Sequence, residues 1–332
     1  MTGTEPATEL PITPAEVERT RALIAPWVRR TPVVALDPAD LGVAQAPGGL
    51  VLKLEQLQRA GSFKTRGAFA NLLLRAVPDV GVVAASGGNH GVAVAHAAQR
   101  LGVRARIHVP TISAPAKIAA IRASGADLVV DGDRYADALA GAREWERRTG
   151  ALPVHAFDQR ETLLGTATLG AELLVQLGGG HDPGSDPGFD TVLVPVGGGG
   201  LLGGVAARLA GVVRVVGVEP VEAPTLTTAL AAGGPADAPT GGIAADALAP
   251  RRVGELVFPI VARHVERVVL VDDAAIVGAQ RALWAAARLV AEPAAAVGLA
   301  ALRSGAYRPA PTERVVVLVS GANTDPGAVA AP

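Results

Sequence analysis

The chain has 332 residues and a formal charge of −1, a length that suits one large or two moderate domains around an enzyme-sized core. Charged residues are 18% and the mean hydropathy is +0.34, so the chain is globular rather than disordered, and the absence of a basic block argues against a general nucleic-acid binder. It has no cysteine, which excludes disulfides, thiolate catalysis and Cys-ligated zinc or iron–sulfur centres.

In chain order, apolar periodicity predicts a helix over 13–28, a strand over 50–54, a helix over 64–77 and a strand over 80–85. A helix over 90–101, a strand over 105–109, a helix over 114–124, a strand over 127–130 and helices over 134–149 and 162–177 follow. The run LGGGHDPGSDPGFD at 177–190 reads as an exposed loop, as does 233–239. Strands are predicted over 191–196, 213–219, 267–271 and 314–320, and helices over 201–209, 273–290 and 293–304. Alternating strands and helices, with strands apolar almost throughout, imply an α/β fold with buried parallel sheets. No internal repeat stands out. Residues 1–10 and 324–332 read as frayed, and the twelve residues after Ser320 are too few for a regulatory domain. The opening MTGTEPATEL is polar and acidic, unlike a secretory signal. The apolar stretch 285–302 is broken by Arg288, Glu292 and Pro293, so no membrane span is expected. A soluble cytoplasmic protein is the expectation.

Only three of the thirty basic residues are lysines: Lys53, Lys64 and Lys117. Arginine cannot lose its proton near neutral pH, whereas a lysine amine can, and can then act as nucleophile or base. Lys117, and in part Lys53, read as leftover surface lysines. Lys64 lies in Gly61-Ser62-Phe63-Lys64-Thr65-Arg66-Gly67-Ala68, after a strand and turn and at the start of an apolar helix that Ser62 could cap. The positive helix N-terminus disfavours an ammonium there and favours the free amine.

Three glycine-bearing strand ends accompany it. Ser86, Gly87, Gly88, Asn89 and His90 lie between a strand and a helix, a placement that suits a carboxylate or phosphate. His90 reads either as a packed helix-start residue or as a general base. Gly197, Gly198, Gly199 and Gly200 form a nest of backbone N–H groups between strand and helix, an anion cradle. Gly198, Gly200 and Gly203 also satisfy G-x-G-x-x-G, with Glu219 ending the next strand, so a dinucleotide site of an NAD(P)-binding oxidoreductase is a rival reading. Ser320, Gly321, Ala322 and Asn323 close the last strand. Ala291-Glu292-Pro293-Ala294 reads as helix-start chemistry, with a carboxylate that could face the site.

The order GSFKTRGA, SGGNHG, VPVGGGGLLGG, VLVSGAN resembles the threonine/serine dehydratase (ammonia-lyase) family of fold type II pyridoxal-phosphate enzymes, over about 10–325. The resemblance implies a tryptophan synthase β-like fold of two domains, each with a mainly parallel sheet flanked by helices. The larger would comprise 1–75 and 160–332, and the smaller, mobile one 76–159. It implies a homodimer and a small amino-acid substrate, with no nucleic-acid or membrane partner.

By the same resemblance Lys64 holds pyridoxal 5′-phosphate covalently and is the catalytic base, with Phe63 near the ring. Asn89 would hydrogen-bond the ring hydroxyl oxygen, and Gly197, Gly198, Gly199 and Gly200 would hold the phosphate. Ser320 would face the pyridine nitrogen, and Ser86 through His90 would bind the substrate carboxylate. The implied reaction removes water, then ammonia, from L-threonine or L-serine; a neutral Ser320 disfavours a long-lived carbanion and favours prompt loss of the β-hydroxyl. Serine racemases of the family carry a serine at the place of Gly87, and many relatives an alanine. Glycine therefore disfavours racemisation and would widen the carboxylate pocket. Elimination from another β-substituted amino acid is a further alternative. Gly165-Thr166-Ala167-Thr168 stands where relatives have Gly-Gln-Gly-Thr. A cation, monovalent or divalent, would be held by Glu219; the second carboxylate some relatives use is replaced here by Thr225.

Overall fold

A computed structural model describes residues 11–44, 48–113, 115–178, 186–248 and 250–330. Its elements run α1 (Pro14–Ile24), β1 (Val33–Ala35), β2 (Gly49–Leu54), α2 (Lys64–Leu74), β3 (Val82–Ala85), α3 (Asn89–Leu101), β4 (Ala105–Val109), α4 (Pro115–Ala123), β5 (Asp127–Val130), α5 (Tyr135–Thr149) and β6 (Leu152–Pro153). They continue with α6 (Arg160–Leu177), β7 (Thr191–Pro195), α7 (Gly200–Leu209), β8 (Arg214–Pro220), α8 (Thr225–Ala232), α9 (Ala245–Leu248), α10 (Phe258–His264), β9 (Arg267–Val271), α11 (Asp273–Ala287), α12 (Pro293–Ser304), β10 (Arg314–Val319) and α13 (Pro326–Ala330). Among the described residues, no helix is long and apolar enough to cross a membrane.

The strands form two sheets. One has the order β1-β2-β10-β7-β8-β9, parallel except where β1 meets β2. The other, β5-β4-β3-β6, is wholly parallel. The fold is therefore α/β with two mainly parallel sheets. The continuous apolar strands have a direct cause: both faces are covered. In β10, Val316 and Leu318 pack under α6 and α7, whereas Val315, Val317 and Val319 pack under α11 and α12. In β3, Val82 and Ala84 face α2 and α3, and Val83 and Ala85 face α5. Helix α2 packs on both α6 and α3, which sets Lys64 at the junction of the two layers.

Most predicted elements form within a few residues of their expected bounds. The helix expected to run to residue 28 ends at Ile24, and α11 stops at Ala287, where Arg288 turns left-handed at φ 55°. Strands β1 and β6 are too short to leave a periodic pattern. Helices α8 and α10 were not expected; in neither does the N-cap residue's own side chain make a capping bond. Part of the expected frayed tail, Pro326–Ala330, is helical. Residues 331–332 of that tail, residues 1–10 and residues 179–185 of the loop expected at 177–190 lie outside the described residues.

Candidate active site

After β2 the chain makes two tight turns, with Ala60 held at φ 56° and Gly61 at φ 73°. A left-handed alanine is strained and needs its surroundings to hold it. Here the Asn323 amide donates to Ala60 O at 2.9 Å, and Ala322 N donates to Gly61 O at 3.0 Å. Ser62 bridges Gly321 and Phe63 N donates to Ser320 O at 3.0 Å. The start of α2 is thus sewn to the end of β10, which brings Phe63, Lys64 and Ser320 together. Ser62 does not cap the helix: Phe63 is the N-cap, without a side-chain bond, and the Ser62 hydroxyl is buried with no partner.

The Lys64 amine donates to Ala156 O at 2.6 Å and lies 5.1 Å from the centre of the Phe63 ring. The residue keeps a partly open side, yet burial pushes the amine's pKa down to about 8, with the Glu292 carboxylate working against that shift. Desolvation, more than the helix N-terminus, favours the free amine.

Phe157, next to Ala156, leads to the second motif. A Cβ on Gly198 would lie 2.5 Å from the Phe157 ring, and one on Gly200 2.7 Å from the Phe157 Cα. Gly199 takes φ +85° and caps α7 without a side-chain bond. The loop joining β7 to α7 therefore needs glycines for close approach and for one left-handed residue, and it leaves the first N–H groups of α7 to an anion. Residues 156 and 157 hold this cradle beside the Lys64 amine. Thr166, in α6, donates to Gly200 O at 2.8 Å, so the Gly165-Thr166-Ala167-Thr168 stretch braces the cradle from below.

On the third side, β3 leads into α3 through Ser86, Gly87 and Gly88. Gly88 is the N-cap, with no side-chain cap, and the Ser86 hydroxyl accepts from Gly88 N at 3.1 Å. Asn89 is buried; its amide donates to Glu292 Oε1 at 2.6 Å and its carbonyl accepts from Asn323 Nδ2 at 2.8 Å. His90 donates through Nε2 to Val154 O at 2.9 Å. Burial, with Lys64 as a second cause, pushes its pKa down to about 3. Burial and the bond to Val154 O favour the packed-residue reading of His90 over the general-base one.

An amine poised near neutrality, an uncapped anion cradle beside it, a fixed amide and a neutral Ser320 together fit an aldehyde-bearing phosphate. The model of the Pyridoxal-phosphate dependent enzyme family matches residues 24–321. The chain belongs to this family. Pyridoxal phosphate is its cofactor. It is 39% identical to the phenylserine dehydratase of Ralstonia pickettii, over 92% of this chain and 91% of that one. It is 35% identical to the L-threonine dehydratase biosynthetic IlvA of Corynebacterium glutamicum, over 94% and 71%. The crystal structure of a threonine deaminase from T.th. superposes with a TM-score of 0.84 at 36% identity, over 95% of this chain and 99% of that one.

Family membership displaces the dinucleotide reading, and the acid which that reading needs is already engaged. Glu219 is fully buried and accepts from Leu226 N at 2.6 Å, Thr227 N at 2.9 Å and the Thr227 hydroxyl at 2.8 Å. It caps α8. A cation at Glu219 would compete with those three donors, and Thr225 turns its hydroxyl to Pro250 O. Among the described residues no group of three His, Cys, Asp or Glu side chains gathers for a metal.

Two lysines read as surface residues are buried. Lys53 is 0% exposed and Lys117 6%. Lys53 lies in a charged cluster with Glu55, Arg66 and Glu172. Lys117 pairs with Asp246. Burial raises the Glu292 pKa, and Lys117 is the largest influence against that rise. Glu292 itself, treated as helix-start chemistry, is a buried partner of Asn89 and the charge nearest in effect to Lys64. Its only signal in the sequence was a carboxylate beside a proline at a helix start.

Proposed function

We propose that the chain eliminates water from L-threonine or L-serine and then releases ammonia and a 2-oxo acid. The carrying observation is the Lys64 amine, with its pKa near 8 and a single backbone acceptor, set beside an uncapped phosphate cradle. The activities printed for the relatives support the same reaction class.

When bound, the cofactor would supply an electron sink for the bond to the α-proton and a phosphate able to give up a proton. Gly197, Gly198, Gly199 and Gly200 would hold that phosphate through backbone N–H groups. Asn89 has one amide N–H on Glu292 and a second for the ring oxygen. Ser320 offers the pyridine nitrogen a neutral partner. Lys64, as the free amine, would take the α-proton; the β-hydroxyl would leave as water on receiving a proton, which the bound phosphate would donate, and the released enamine would become an imine that hydrolyses in solution to the 2-oxo acid and ammonia. Ser86, Gly87, Gly88 and the α3 N-terminus would orient the substrate carboxylate.

The two sheets are consistent with two domains, 1–75 with 160–332 and 76–159, and closure of the smaller would exclude water. The family resemblance supports a homodimer. Purified protein should be yellow, with borohydride fixing the cofactor mass on Lys64. A panel of L-threonine, L-serine and 3-phenylserine should yield 2-oxo acid and ammonia in equal amounts. If neither L-threonine nor L-serine does so, the substrate assignment is wrong.

A further inference from the structure

Gly87 has a spatial reason to be glycine. It is absent from the glycines with positive φ, so its backbone does not demand one. A Cβ built on it would instead overlap the Ser113 hydroxyl and lie 2.5 Å from the Ser113 Cβ. Ser113 ends the turn after β4, where its N–H donates to Pro110 O at 3.1 Å. The pocket is therefore not widened at Gly87: the space a side chain would take is filled from the neighbouring loop by a hydroxyl. Ser113 is partly buried, and its hydroxyl makes no hydrogen bond with any described residue. The adjacent Ser86 hydroxyl, by contrast, is turned back onto Gly88 N.

We infer that Ser113 is a substrate-binding residue: its hydroxyl occupies the place of a residue-87 side chain and donates to the α-carboxylate of the amino-acid substrate. The inference rests on the elimination reading for the site, and it makes positions 87 and 113 a sterically coupled pair. A hydroxyl beside a loop with no charged side chain of its own can donate a hydrogen bond to a charged acceptor.

The test uses the holoenzyme. L-Alanine has no β-leaving group, so its binding can be titrated by the cofactor's absorbance without turnover. Ser113→Ala should weaken L-alanine binding and raise KM by about tenfold, the scale of one lost hydrogen bond to a charged group, while leaving kcat nearly unchanged. Gly87→Ala should lower Tm, and the added change Ser113→Gly should recover most of that loss, because the two side chains contest one space. Unchanged L-alanine binding and KM in Ser113→Ala would overturn the donor role. A Gly87→Ala loss that Ser113→Gly does not recover would overturn the coupling. If the wild type turns over neither L-threonine nor L-serine, the elimination reading fails, while the alanine titration and the Tm cycle still judge Ser113.

Discussion

Two lysines, eleven positions apart, one buried and one partly buried, meet opposite surroundings. Lys53, on β2, uses all three of its N–H donors: on Thr31 O at 2.8 Å, Glu172 Oε1 at 2.5 Å and Gln176 Oε1 at 2.7 Å. Arg66 completes the cluster with a fork onto Glu55 at 2.7 and 2.8 Å and bonds to Glu172 at 3.1 Å. Among the described residues, Lys64 meets one backbone carbonyl and no carboxylate within bonding reach. Burial lowers the pKa of both amines, but around Lys53 two acids, Glu55 and Glu172, oppose it. Around Lys64 only Glu292 does. A saturated ammonium is structure, whereas an under-served amine is available for covalent chemistry.

The largest expected effect tests the Lys64 half. Lys64→Ala should lower kcat by about 10⁴-fold, the upper end of what a positioned base contributes, and Lys64→Arg should do no better, because a guanidinium keeps its proton. Initial rates of 2-oxo acid release measure both, and near-wild-type turnover in either would sink the assignment. The next effect tests the Lys53 half. Lys53→Met removes one partner of a buried carboxylate and should cost about 3–5 kcal/mol of stability, read from urea denaturation. Turnover per folded molecule should stay near wild type. If Lys53→Met instead abolished turnover while the protein stayed stable, the contrast between the two lysines would collapse.

The same contrast shows what one chain of letters carries. Strands β7 and β10 were legible because doubly buried strands are apolar at every position. Lys64 was legible because three glycine-bearing strand ends follow it in a fixed order. Lys53 and Lys117 were misread, because burial of a lysine depends on acids far along the chain: Glu172 for one, Asp246 for the other. The hydrogen-bond partners of Glu219 were not legible, because they belong to α8, a helix rich in threonine whose periodicity is weak. Gly87 suggested an opened pocket, since nothing in the local sequence says that Ser113 returns to fill it. In each case the missing information is a tertiary partner, and local pattern does not encode it.

The smallest effect sharpens the comparison at Glu292, the one acid that acts on Lys64. Glutamine at this position keeps an acceptor for the Asn89 amide but removes the charge. In the substrate complex Lys64 must be unprotonated to take the α-proton, so kcat should fall as pH drops below about 8. The Glu292 carboxylate raises the Lys64 pKa, so its loss lets burial act unopposed and lowers that pKa further. The acidic limb of kcat against pH should therefore move to lower pH in Glu292→Gln, with the plateau largely kept. A limb that stays in place, or moves to higher pH, would show that Glu292 does not set the Lys64 amine and that its role ends at holding Asn89.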